Sequence, residues 1–508
     1  MIGRFWDFIG RVFLLQSDVF QQVSTAADGW ILALGIVFGA GLSIAVSEGI
    51  ILFVNRVKPL RFILTLLTSS VLFAFGYLFL VFSTWLIDFF PGTVRVSFPV
   101  LLKVFGVSFA PLLFSFLGAI PYLGVPLLNI LSIWHLLAMV VGFAAVKGTS
   151  LSSALTYVAL GWLILQILQR TLGQPIARLG QIVLNRAAGV VLVRGDNATR
   201  ALLRDALAPP INTEARESID TTFSPISFTS KSAKNTFPVV PILGIVGIFL
   251  LTVIVVVFLD PLRSWFLSSY ESLPRTLRFG FDLVWIAIVA LAVAGLLAPL
   301  ETLGWWAGWY NDEIDTTINT GTVVAPIQNP GEIDRYLIYL DGISQSSSRY
   351  LPDVEEFLDT LAPILPNDTA LIRGIMTYSV LNNPLDEDRP LAFLWRLADK
   401  YRFANPASIL GMLVNIRNVL IVAVSADARY GPIYDLGITK ILYTALVNAG
   451  YRVGSGVPVT LIGYSGGGQM SAAVAGSLKR AIGASIEVIS LAGVISGNCN
   501  ILETEHLY

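Results

Sequence analysis

The sequence predicts a polytopic α-helical membrane domain of about seven spans followed by an α/β domain with a doubly wound, mostly parallel sheet. Three observations predict it. Of 508 residues, 55% are hydrophobic and only 13% are charged, where soluble domains carry about 25% charged residues. Apolar runs of about 20 residues or longer recur up to residue 300, each enough to cross a hydrocarbon core of ~30 Å. From about Gly321 charged residues return, and strand-like runs alternate with helical ones.

The bulk figures also exclude functions. A net charge of −1 gives no global field favouring nucleic acid or an acidic partner. The single cysteine, Cys499, excludes an internal disulfide framework and a thiolate metal cluster, and two histidines, His135 and His506, limit any imidazole-based site. No cofactor and no metal are expected. The first long apolar run is a full span rather than a short cleavable signal.

The opening "MIGRFWDFIGRVFLLQSDVF" is amphipathic at helical spacing. It either lies on the bilayer, with Phe5, Trp6 and Phe13 toward lipid and Arg4 and Arg11 toward water, or packs on its own protein. Apolar runs then cover 31–54, 62–87, 98–121, 124–146, 151–169, 239–259 and 280–300. A backbone in lipid must satisfy its own N–H and C=O groups, so these are helices. Pro121 and Pro126 mark either a tight turn or a re-entrant pair. Trp305, Trp306 and Trp309 follow the last run as interface-anchoring aromatics. Three polar residues, Glu48, Lys103 and His135, fall inside the runs, where a charge costs roughly 3 kcal/mol. Lys103 stands near a span end and snorkels, while Glu48 and His135 read as structural.

These features divide the chain into a multi-span domain (1–170), an amphipathic and flexible linker (171–237), two further spans (238–310) and the α/β domain (320–508). Nine Lys/Arg between Arg170 and Lys234 place the linker, and with it the α/β domain, on the cytoplasmic side. "NDEID" after the last span, and Arg263, Arg275 and Arg278 before it, weigh the other way. The stretch "FAPLLFSFLGAIPYLGVPLLNILSIWHLLAMVVGF", with its proline-bounded turn and Trp134, resembles the Yip domain family over about residues 30–170. That resemblance implies a membrane module, of a kind associated in eukaryotes with vesicle traffic and small GTPases.

In the α/β domain, "YLIYL" (336–340) is a strand ended by Asp341-Gly342, and Pro352 opens the helix "DVEEFLDTLAPIL". "ALIRGIMTY" (370–378) reads as a second strand, and Pro390 to Gly450 as a long helical region. "PVTLIGYS" is a third strand, "GGGQMSAAVAGSLKRAI" a helix and "SIEVISLAGV" a fourth strand. Within the helical region, "SILGMLVNIRNVLIVAVSA" (408–426) is nearly apolar enough to span, but Arg417 interrupts it. It is a core helix, or a buried or membrane-touching cap over the site.

Gly463-Tyr464-Ser465-Gly466-Gly467 matches G-x-S-x-G between an apolar strand and a helix of small residues, the setting that a nucleophile turn requires. Bulk is excluded beside so sharp a bend, and the helix start presents free N–H groups to an oxyanion. As a phosphate loop, "GYSGGG" lacks the following Lys-Ser/Thr. The segment 320–508 resembles the α/β-hydrolase superfamily. The resemblance implies Ser465 as nucleophile, Gly463 and Gly467 as the flanks of the elbow, and the N–H groups of Gly466 and Ile343 as oxyanion donors. Asp341 stands where that family commonly has histidine. The family's chain order is serine, acid, histidine, which leaves His506 as the base, although "ETEHLY" reads as the start of the next strand. Asn498, Glu503 and Glu505 are the acid candidates.

The domain is expected to be short at its C-terminal side: it is truncated, recruits His506 unusually or is catalytically dead, and it leaves an open sheet edge. The leading expectation is a membrane-tethered serine hydrolase of esterase, lipase or thioesterase type. Its partners would be the lipid bilayer and a lipid or acyl substrate, with no nucleic acid. The alternative is a non-catalytic, membrane-organising protein with a Yip-like module and a hydrolase-shaped binding domain.

Overall fold

The computed structural model describes residues 2–87, 95–171, 173–193, 239–266, 273–309, 333–347, 349–385, 392–404, 408–496 and 506–507. They form two compact units. One comprises Met1–Arg194, Leu251–Leu297 and Trp306–Trp309, the other Gly195–Leu250, Ala298–Trp305 and Tyr310–Tyr508.

The first unit begins with α1 (Ile2–Phe13) and α2 (Ser17–Thr25). Ile9 and Val12 of α1 are fully buried and Trp6 packs edge-on against Phe258, so this helix lays its apolar face on its own protein. Next come α3 (Gly29–Ser47), α4 (Ile50–Val54), α5 (Pro59–Ile87), α6 (Phe98–Ser108), a 3-10 helix (Ala110–Ala119), α7 (Gly124–Lys147), α8 (Leu151–Thr171) and α9 (Gly173–Ala188). Later in the chain stand α10 (Val239–Phe266), which enters this unit at Leu251, α11 (Arg275–Leu297), and α12 (Leu300–Trp306), which belongs to the second unit up to Trp305. Among the described residues six segments are long and apolar enough to cross a membrane: α3, α5, Phe98–Ala119, α7, α8 and Arg275–Trp306. The 239–259 run lies in α10, where among the described residues Gly247–Pro261 is a shorter apolar helix rather than a full-length span. The 31–54 run is broken at Glu48-Gly49 between α3 and α4, which leaves Glu48 exposed at a helix end.

Phe98–Ala119 is 72% buried, against 17% to 39% for the other five, and is therefore the centre of the bundle. The outer helices turn Ile63, Phe75, Ile133, Trp162 and Ile167 outward, an arrangement stable only against lipid. Where α6 passes into the 3-10 helix, freed backbone groups find side-chain partners. His135 Nδ1 donates to Ser108 O (2.9 Å), Ser43 Oγ donates to Leu113 O (2.9 Å), and Phe116 N–H donates to Ser43 Oγ (2.7 Å). Lys103 Nζ donates to Ser24 O and Ala26 O at the end of α2, where a helix carboxyl terminus favours a cation. Pro121 belongs to a tight turn: Gly124 N–H donates to Ile120 O (2.9 Å), and Tyr122 takes φ 66°. Trp306 and Trp309 donate their indole N–H groups to Val54 O and Val57 O.

In the second unit five strands form one all-parallel sheet in the order β2-β1-β3-β4-β5: β1 (Arg335–Leu340), β2 (Thr369–Ile372), β3 (Val459–Tyr464), β4 (Ile486–Leu491) and β5 (His506–Leu507). α13 (Pro352–Leu361) joins β1 to β2. α14 (Ala392–Ala404), α15 (Ile409–Ala426) and α16 (Gly431–Asn448) lie between β2 and β3, and α17 (Gly466–Ile482) joins β3 to β4. The chain steps one way from β1 to β2 and the other way from β3 to β4. Right-handed crossovers then set α13 and α17 on opposite faces.

α13 covers Leu337, Tyr339, Leu371 and Ile462, while α17 packs on β3, β4 and α16. The second strand is shorter than the sequence suggests. It stops at Ile372 because Gly374 turns at φ 82° and the buried Arg373 pairs with Asp359 (2.8 Å). α15 and α16 are apolar enough together to span, yet they meet at 107°. Ile433, Leu436, Ile438 and Leu442 of α16 are buried, so it is a core helix of the sheet unit.

Candidate functional site

The order 2-1-3 reverses between β1 and β3, and in such sheets a crevice opens outside the carboxyl ends of the strands at that point. Both motifs singled out in the sequence end there. β3 is buried to Gly463, emerges at Tyr464 and leads into Ser465, which is partly exposed. Ser465 has φ 51° and ψ −115°, a conformation that costs an L-residue on the order of 1–3 kcal/mol. It persists because both sides are fixed. Ser465 N–H donates to Leu491 O (2.8 Å) at the end of β4, and its carbonyl accepts from Gly468 N–H (3.0 Å) in the first turn of α17.

The glycines flanking Ser465 are required by close approach. A Cβ on Gly463 would lie 2.4 Å from Gly467 O, and one on Gly467 would lie 2.2 Å from Leu340 O. Both obstacles are backbone atoms that cannot step aside.

The loop after β1 lies against this bend. A Cβ on Gly342 would be 3.5 Å from Ser465 Cβ, and one on Gly466 would be 2.8 Å from Ile343 Cγ2. The structure thus gathers Ser465, Gly466 and Ile343. Among the described residues, the N–H groups of Gly466 and Ile343 have no protein acceptor. Two such donors beside a serine hydroxyl are what a developing oxyanion needs.

Side chains that sequence reasoning passed over hold that loop. Asn418 of α15, fully buried, donates its Nδ2 to Ile343 O (2.8 Å) and Gln345 O (2.6 Å). Arg417 Nη1 donates to Asn418 Oδ1 (2.9 Å) and to Tyr378 O (2.7 Å), which fixes the amide's orientation. Tyr378 Oη donates to Asp341 O (3.0 Å), and Gln345 spans to Ile375 O and Thr377 N. The polar stretch "SQSSSRY" (344–350) after this turn reads in the sequence as a flexible mouth, yet its described part is built into the fold. Gln345 and Ser346 are buried, and Ser346 Oγ bonds Asp399 and Arg402. The only available signal was two amides, Asn415 and Asn418, and the Arg417 guanidinium inside the apolar run 408–426.

Asp341 is 1% exposed. Burial raises its carboxyl pKa to about 6, opposed by hydrogen bonds from Gly342 N–H (2.8 Å) and Tyr339 Oη (3.2 Å). Its carboxylate braces the turn at Gly342.

The register does not bring His506 to Ser465. His506 pairs with Glu487 near the amino end of β4, whereas Tyr464 pairs with Leu491 at its carboxyl end. At ~3.3 Å per residue the two backbone positions are roughly 13 Å apart along the strand direction. Asn498, Glu503 and Glu505 lie outside the described residues.

No protein-family model matches the chain, and neither the curated proteins nor the solved structures contain a significant match.

Proposed function

We propose that the α/β unit is a membrane-tethered serine hydrolase of the α/β-hydrolase type, acting on an ester, thioester or amide with Ser465 as nucleophile. The observation that carries this reading is the backbone of Ser465: a residue with a Cβ held at φ 51°, ψ −115° at the carboxyl end of a central parallel strand. Strain of this kind survives where the surroundings over-determine it, and here it falls on a serine next to Gly466 and near Ile343, whose N–H groups have no protein acceptor among the described residues. In the reaction, Ser465 Oγ attacks the acyl carbonyl carbon as its proton passes to a base, and the N–H groups of Gly466 and Ile343 hold the oxyanion. Collapse breaks the bond to the alcohol, thiol or amine, which takes up the proton, and water then releases the acyl group. The basic stretch between Arg170 and Lys234 supports a cytoplasmic position for the unit.

A second reading is a non-catalytic, membrane-organising protein whose α/β unit only binds. One observation favours it: the strand that carries His506 pairs near the amino end of β4, whereas Ser465 follows the carboxyl end of β3. Covalent labelling with a fluorophosphonate separates the two. The hydrolase reading expects the detergent-solubilised wild type to label and Ser465→Ala to remain unlabelled. Equal labelling of the two, or none of the folded wild type, overturns it.

A further inference from the structure

The helix that fixes the Ile343 loop has a second face. Among the described residues of α15 the exposed side chains are Met412, Ile416 and Val419, spaced so that they share one stripe opposite Asn418. α14, packed along α15, repeats the pattern with Phe393, Leu397 and Tyr401, which are 62%, 44% and 49% exposed. Arg396 and Lys400, both exposed, border the α14 stripe. Large apolar residues along one side with cations at the margin mark helices that lie in the plane of lipid headgroups.

The chain itself identifies what covers this face. Glu301 follows Leu297, the end of the apolar helix α11, by four residues, a reach of at most about 14 Å. Its carboxylate accepts from Ser379 Oγ (2.7 Å) and pairs with Arg417 of α15 (3.6 Å). α15 is therefore leashed to the end of a membrane-crossing helix. On its inner side the same helix reaches the bend: a Cβ on Gly466 would lie 3.0 Å from Val422 Cγ2.

We propose that α14 and α15 seat on the bilayer surface through these two stripes, so that an acyl chain leaving the lipid phase meets Ser465 along α15. The substrate route rests on the hydrolase reading, whereas the seating stands apart from it. The test uses the full chain with Cys499→Ser, reconstituted in phosphatidylcholine–phosphatidylglycerol vesicles. Single cysteines replace Met412, Ile416, Val419 or, as a control, the exposed Val453 at the amino end of β3, and each carries an environment-sensitive fluorophore. At a seating depth of ~5–10 Å, iodide quenching is lost at 412, 416 and 419 and bromolipid quenching is gained, with the opposite at 453. Iodide quenching at 416 equal to that at 453 overturns the proposal. Protection from both quenchers also overturns it, in favour of a covering protein such as a second copy. Fluorophosphonate labelling in the same vesicles reports on Ser465 separately, so either idea can fail alone.

Discussion

Glycine serves different ends in the two units. In the membrane bundle tight glycines are scattered, each admitting one or two neighbouring helices: Gly106 faces Ala33 and Tyr77, Gly142 faces Phe20 and Val104, and Gly161 faces Thr84. In the α/β unit they converge, with Gly342, Gly463, Gly466, Gly467 and Gly468 around one serine. The first pattern serves close packing where lipid supplies no hydrophobic drive between helices. The second forces a strand, a helix and a loop onto one residue, which concentrates strain where reactivity is wanted.

The largest expected effect tests the concentrated pattern. Gly467→Ala sets a methyl against Leu340 O, and a loss of about 4 kcal/mol is expected, read as protease sensitivity of the α/β unit with helical circular dichroism largely retained. Wild-type resistance would break the comparison. Next stands Asp341, whose carboxyl pKa rises from 3.8 to about 6 in the folded unit. The folded state binds the proton more tightly, so stability from this group is present below pH 3.8 and is lost as pH rises through about 6. Asp341→Asn removes that slope, a change on the order of 3 kcal/mol in thermal unfolding measured at pH 4 and pH 7.

Gly106→Ala costs less, about 1–2 kcal/mol, because the helix carrying Ala33 can move away. A loss as large as at Gly467 would erase the contrast. Ser465→Gly relieves the positive φ, and a gain of about 1 kcal/mol in unfolding free energy should accompany complete loss of labelling. Smallest is Gly76→Ala, with open space around it, where the midpoint should shift by less than a 1 kcal/mol equivalent, toward stability.

Much of this was legible in the sequence because the signals were local. β1 ends at Asp341-Gly342 and β3 at the Gly463–Gly467 turn, and each boundary is written in adjacent residues. The overlong second strand came from reading apolar letters through Gly374, whose φ of 82° stops it. The break at Glu48-Gly49 was hidden by hydropathy that continues on both sides. Asn418 was unreadable for a different reason: its partner Ile343 lies 75 residues away, and an amide in an apolar run does not say what it holds. The placement of His506 depended on sheet register, which a two-residue strand does not announce.

The sheet order also sets a timetable. Tyr336 of β1 pairs with Val459 of β3, about 120 residues later in the chain. At ribosomal speeds of ~5–20 residues per second, β1 waits roughly ten seconds for its central neighbour to be made. During that interval its β3-side edge and the face opposite α13 stand open beside a membrane that is receiving the preceding helices. A chaperone or the bilayer surface must shelter them, and slowing synthesis after β1 should increase aggregation more than slowing it before.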